Sequence, residues 1–351
     1  MCFPGRAPRR YNTGNVRGTS EEPIVPRQSH IRSPRRPRAA LRALGTAALA
    51  GALALALPLS ACGGSGSGGG GGADDAGQTS GPAYEEPTEI ALSPFDASAA
   101  TSANGASIDT SHTADGYIAA SATNSSRLKL QVVQGEMSYN YDLPGDGTPI
   151  SVPVNMGDGS YAVRVMQNTS GNNYVEIARA DQQITLASEF EPFLRPNLFC
   201  SYTADSACVA KARELAKGAT NEGDVMRAVY QWIVDNISYD NDKAKQVSGT
   251  TGYVPNPDET LANKTGICFD YASLAAAMLR SLGVPAKIIT GYVSPDGVYH
   301  AWNMVYINGS WTSVEFSISP DTWTRVDLTF AAAGSGDTVG DGTDYTDRYV
   351  Y

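Results

Sequence analysis

Thr265-Gly266-Ile267-Cys268-Phe269-Asp270-Tyr271-Ala272 puts a cysteine directly after a Gly-Ile pair and directly before a run rich in Ala and Leu, Ser273 to Leu282. Such a run reads as a buried helix, so the thiol falls in that helix's first turn. There the unpaired N–H groups and the positive end of the dipole favour thiolate. A buried, inert thiol is the alternative. Downstream come His300, in Tyr-His-Ala-Trp-Asn, and Asp327, in Trp-Thr-Arg-Val-Asp-Leu-Thr. Nucleophile, base and orienting acid therefore follow one another along the chain, as covalent acyl transfer requires.

The scarcity of partners narrows the reading. The chain holds three histidines, and His30 and His112 lie far from the cysteine in leader-like and polar Ser/Thr/Asp contexts. His300 is thus the base available to Cys268. Of the five cysteines, Cys2 and Cys62 are N-terminal, Cys200 and Cys208 are close enough to form a disulfide, and Cys268 is left over. An unpaired cysteine in an exported protein points to a reactive thiol.

Export is expected from residues 1–61. They carry ten arginines against Glu21 and Glu22, and end in the apolar run Ala43 to Ala61 followed by Cys62. A basic region, an apolar region and small residues before the cut describe a secretory signal. The ending Leu59-Ser60-Ala61-Cys62 resembles a bacterial lipobox, which implies lipid attachment at Cys62 and anchorage to the cell membrane through that lipid. Beyond residue 61 there remain 34 acidic and 16 basic residues, a net of −18 against −10 for the whole chain. A surface that acidic excludes nucleic acid as a partner, since phosphates demand clustered Lys and Arg.

Residues 62–90 are rich in Gly and Ser and then acidic, with no apolar period; they read as a flexible tether. Residues 91–195 change character. Arg127 to Val132 and Ser160 to Met166 alternate apolar with polar, Tyr174 to Ile177 and Ile184 to Leu186 continue the pattern, and Gly-Asp and Asn-Asn turns punctuate it. This is the pattern of a small β-sandwich. Residues 196–351 read as α+β: helices over Ala207–Lys217, Glu222–Ile237 and the Cys268 segment. Strands then follow over Lys287–Val293, His300–Ile307, Trp311–Ile318 and Trp323–Phe330, with Asn308-Gly309 read as a hairpin turn.

The three motifs around Cys268, His300 and Asp327, in that order, resemble the transglutaminase-like superfamily of papain-type cysteine enzymes. The resemblance spans about residues 200–351. It implies an α+β, papain-like domain with a helix-borne cysteine facing an antiparallel sheet, and a Cys268-His300-Asp327 triad. It also implies a peptide or protein amide as substrate, possible in the cell wall, and attack through a thioester. The alternative is a non-catalytic adhesion or scaffold module on the same fold. In the family the acid usually stands on the strand directly after the histidine strand. Glu315 occupies that place here, while Asp327, with the fuller motif, follows one turn later. No cofactor is implied. The acidic stretch Asp341-Gly-Thr-Asp-Tyr-Thr-Asp347 lacks the spacing of a calcium loop and reads as a solvated C-terminal loop, so no metal is expected.

Overall fold

The computed structural model describes residues 77–294, 297–312, 317–333 and 344–351, all within one compact unit, Ala73–Tyr351. The expected signal segment and Cys62 lie outside the described residues, as does Glu315. In chain order the first element is a short strand, β1 (Gln78–Ser80). Eight strands follow: β2 (Thr101–Ala103), β3 (Ala106–Asp109), β4 (Tyr117–Ala122), β5 (Leu128–Gln134), β6 (Met137–Leu143), β7 (Ile150–Pro153), β8 (Gly159–Ser170) and β9 (Asn173–Ile184).

These eight strands form two four-stranded antiparallel sheets, ordered β2-β3-β4-β7 and β6-β5-β8-β9. Period-two patterning makes them a sandwich. On β5, Leu128, Leu130 and Val132 are buried while Lys129, Gln131 and Val133 alternate with them toward the outer face. The buried set meets Ile108, Ile118 and Val152 of the other sheet in a single apolar core. At about 25 cal/mol per Å² of apolar surface, such a core is the main stabilising term of this half.

The second half begins with helices α1 (Ala207–Ala216) and α2 (Glu222–Asn236), then a short strand β10 (Ser238–Tyr239), helices α3 (Asn241–Val247) and α4 (Pro257–Asn263) and a strand β11 (Thr265–Gly266). Helix α5 (Cys268–Ser281) runs through the centre, and every residue from Asp270 to Ser281 is buried. Its Ala- and Leu-rich composition allows apolar contact all round, as a helix enclosed on every side needs. Strands β12 (Ala286–Val293) and β13 (Val298–Val305) pack on it. Then come β14 (Ser310–Thr312), β15 (Ser317–Ile318), β16 (Thr324–Val326), a short helix α6 (Leu328–Ala332) and β17 (Tyr345–Val350). The sheet against α5 has the order β16-β13-β12-β17, all antiparallel.

Four expectations are corrected here. The strand read over Trp323–Phe330 ends at Val326, because the Asp327 side chain accepts from the N–H groups of Thr329 and Phe330 and starts α6. Asn308-Gly309 is not a hairpin turn: β13 pairs with β16, whereas β14 pairs with β1. The glycine serves that crossing, since a Cβ on Gly309 would sit 2.3 Å from the Ser80 carbonyl oxygen. The end of the expected tether is folded, with β1 in a sheet and Tyr84 donating from its hydroxyl to the Leu282 carbonyl at 3.0 Å. Finally, of the stretch 341–347, residues 345–347 belong to strand β17 rather than to a loop, and 341–343 lie outside the described residues.

The two halves meet at the end of β17, where the Val350 N–H donates to the Tyr139 hydroxyl at 3.2 Å, and Arg280 of α5 holds that end in place. Arg280, 1% exposed, donates to the carbonyls of Ala286, Arg195 and Tyr351 at 2.8–2.9 Å. The Tyr349 and Tyr351 rings pack against Tyr139 of the sandwich.

Candidate active site

Local sequence explains how Cys268 comes to open α5. Asp270, two residues into the helix, reaches back to accept the Ile267 N–H at 2.8 Å, satisfying a donor the helix cannot use. That reach requires Gly266, where a Cβ would lie 2.6 Å from the Asp270 Cβ. The Asp270 carboxylate is fully buried yet well supplied: the Lys243 ammonium stands 2.8 Å away, and the Tyr253 hydroxyl donates to its other oxygen. Tyr271 braces the helix by donating to the Ile237 carbonyl at 2.7 Å. The cysteine is left partly exposed at the helix mouth.

His300 sits on β13, opposite Gly291 of β12. Its Nε2 lies 2.8 Å from Asp327 Oδ2, and Cys268 is close enough to raise the ring's pKa. Phe330 stacks on the imidazole at 4.9 Å between centroids. On the same strand, Asn303 donates from Nδ2 to the carbonyls of Ala272 and Lys287, at 3.0 and 3.1 Å, fastening the histidine strand to the cysteine helix. Trp302 is buried beside them, and its ring fits because a Cβ at Gly291 would be 2.9 Å from it.

The structure brings Cys268, His300 and Asp327 together. Asp327 stands at the end of β16, which is the strand beside β13 in space although not in sequence. The intervening β14 and β15 leave this sheet altogether and pair with β1 and each other. Asp327 is fully supplied with donors: Thr329 and Phe330 N–H on Oδ1, His300 and the Tyr345 hydroxyl on Oδ2, the last at 2.9 Å. Tyr345 was not foreseen. The chain offered no clean signal for it, because a register shift between Thr290 and Gly291 breaks the alternation along β17.

Electrostatics follow the geometry. Burial by itself pulls the His300 pKa down. The hydrogen bond to Asp327, with Cys268 close by and the charges of both, outweighs it and raises the value from 6.5 to about 10. The ring is therefore an imidazolium through the neutral range. Burial, reinforced by the Asp327 charge, pushes the Tyr345 phenol well above its ordinary range, so it remains a donor.

The expected Cys200–Cys208 bridge is not formed. Both are buried free thiols: Cys200 Sγ lies 3.8 Å from the Ser273 carbonyl oxygen, and the Cys208 backbone N–H donates to Asp258 Oδ1 at 2.8 Å from the first turn of α1. Burial raises both thiol pKa values, that of Cys200 to about 11. Neither has the exposure or the charge environment of a reactive cysteine. Among the described residues, no group of three or more His, Cys, Asp or Glu side chains is placed to hold a metal ion.

Residues 209–327 match the family model described as the transglutaminase-like superfamily. The chain carries a transglutaminase-like domain. The match begins in α1 and ends at the residue that accepts from His300. Among curated proteins, an uncharacterised protein of Mycobacterium leprae is 27% identical over 47% of this chain and 56% of its own length. Human kyphoscoliosis peptidase is 26% identical over 37% of this chain and 21% of its own. The chain thus spans about half or less of the length of these relatives. Among solved structures, a proposed cysteine protease of Cytophaga hutchinsonii superposes with a TM-score of 0.32 at 15% identity, covering 67% of this chain and 91% of that one.

Proposed function

We propose that the protein is a cysteine enzyme that cleaves or transfers acyl groups at amides of peptides or proteins, exported and held at the bacterial cell surface by a lipid on Cys62. The observation that carries this reading is His300, held at 2.8 Å by Asp327 with Cys268 near enough to raise its pKa. The Cys268 sulfur, as thiolate, attacks the amide carbonyl. The Cys268 N–H, in the first turn of α5, is one donor to the resulting oxyanion. As the intermediate collapses, the C–N bond breaks, His300 gives its proton to the leaving amine or ammonia, and an acyl-thioester remains. Water or a second amine then takes the acyl group while His300 accepts the incoming proton. Asp327 fixes which ring nitrogen faces the sulfur.

Alkylation tests this. Iodoacetamide at pH 6 should label Cys268 in the folded protein far faster than in urea, and the rate should drop in His300→Ala. Equal rates folded and unfolded would remove the activated thiol and return the domain to a non-catalytic adhesion or scaffold role.

A further inference from the structure

A cleft of about 540 Å³ opens beside the cysteine helix, walled on one side by the β6-β5-β8-β9 sheet and on the other by the 251–254 loop and Phe269. The walls touch: a Cβ on Gly252 would lie 2.7 Å from Asp142 Oδ2, so the loop is seated directly on the sheet. The cleft is also next to the reacting centre. Phe269 follows Cys268 in α5, and Tyr253, on the cleft wall, donates to Asp270 and lies close enough to Cys268 for its hydroxyl to respond to the cysteine's charge.

Its chemistry is mixed. Tyr174, Tyr253 and Phe269 offer aromatic surface. Arg127 and Asp142 neutralise one another in a forked pair, with contacts of 2.9–3.2 Å. Two residues further along, half-buried Lys129 has no ion-pair partner among the described residues; its ammonium rests 5.7 Å from the centre of the Tyr174 ring. Asp142 stands directly opposite Lys129 in the β5–β6 register, but Arg127 takes its carboxylate, and a lysine left without an ion pair of its own is where a ligand carboxylate is welcome.

From this geometry we infer that the cleft is a specificity subsite for the acyl donor, taking a peptide segment that carries a carboxylate toward Lys129 and an apolar or aromatic side chain against Tyr174, Tyr253 and Phe269. The inference rests on the reading of Cys268 as the nucleophile. It assigns the sandwich a part in substrate choice, because Lys129 and Tyr174 both belong to it.

The test uses the full chain as Cys268→Ala and two fluorescent hexapeptides, Ala-Ala-Gln-Glu-Phe-Ala and its Gln-for-Glu twin, read by anisotropy. The Glu peptide is expected to bind about fivefold tighter, the scale of one partly exposed ion pair. The preference should shrink in roughly 0.5 M salt, vanish in Lys129→Gln and reverse in Lys129→Glu. Tyr174→Ala should weaken both peptides alike. Equal affinity for the two peptides, or a preference that survives Lys129→Gln, overturns the subsite. Iodoacetamide labelling of the chain with Cys268 intact, run beside it with and without Lys129→Gln, keeps the two readings apart. Slow labelling in both sinks the nucleophile, while the peptide ratio still judges the cleft.

Discussion

The two halves of the molecule bury very different interiors. The sandwich encloses an apolar core built by alternation, with Leu130, Val163 and Val165 wholly shielded and polar burial confined largely to its margins, at Asp109, Thr113 and Asn197. The half around α5 buries Asp270, Ser273, Arg280, Thr290, His300, Asn303 and Asp327. A charge removed from water is costly unless partners replace the water. Each charged group here is so supplied: Asp270 by Lys243, Tyr253 and Ile267, Arg280 by three carbonyls, Asp327 by four donors. The difference teaches that one half is held by what it excludes and the other by what it satisfies. Substitutions should therefore separate stability from chemistry.

The widest separation is expected at the nucleophile and its base. Cys268→Ala or His300→Ala should lower kcat/KM on a peptide amide by about a thousandfold or more, and in Cys268→Ala the urea midpoint should move little. A Cys268→Ala protein that retains turnover would erase the distinction between the halves. In the sandwich the outcome reverses. Leu130→Ala, at a site with no exposure, should cost about 2–5 kcal/mol in urea unfolding, yet the folded fraction should keep its kcat.

Arg280→Met strikes where the halves meet. It leaves the carbonyls of Ala286, Arg195 and Tyr351 without their donor, on the order of 1–3 kcal/mol for each that stays unpaired. Unfolding monitored separately by the sandwich and the α5 half would show whether that loss uncouples them; one coincident transition would mean that apolar packing alone suffices.

The pH dependence sharpens the same contrast. The His300 pKa is raised in the folded state, from 6.5 to about 10. Its contribution to stability is therefore complete below about pH 6.5 and lost as the pH climbs through about 10. Urea midpoints of the parent should fall toward those of His300→Gln across that window, and turnover should fall as the proton on His300 is lost. A flat difference between the two proteins from pH 6 to 10.5 would show that the folded state does not hold the imidazolium.

Legibility followed the range of each interaction. Cys268, with its helix and Gly266, could be read because the features that place it are within four residues. The sandwich could be read because alternation is local. His300 and Asp327 were legible as motifs, but not the route between them, since β14 leaves to pair with β1, more than 200 residues earlier in the chain. Spacing along the chain therefore gave Glu315 a standing that the His300–Asp327 contact does not require; Glu315 itself is outside the described residues. The same long-range pairing hid the docking of residues 77–90. The Cys200–Cys208 pairing failed for a related reason: closeness in sequence says nothing of the faces the two thiols turn to, one toward Ser273 and the other toward Asp258.

The smallest expected effect lies at Tyr345, the group least visible beforehand. Its hydroxyl shares Asp327 Oδ2 with His300, at 2.9 and 2.8 Å. The carboxylate is thus held from two sides, and the phenol keeps it from turning off the imidazole. Tyr345→Phe preserves the ring that packs edge-on against Trp302, at 4.8 Å between centroids, and removes the hydroxyl alone. A hydrogen bond to a charged acceptor is worth about 1.5–3 kcal/mol, but the other three donors remain, so only part of it should reach the barrier. A fall in kcat of about tenfold is expected, with KM unchanged and the urea midpoint nearly so. If KM rises instead while kcat holds, Tyr345 serves the substrate rather than Asp327. If the midpoint falls steeply, the β17 edge belongs with the apolar half, and the line between the two interiors must be redrawn there.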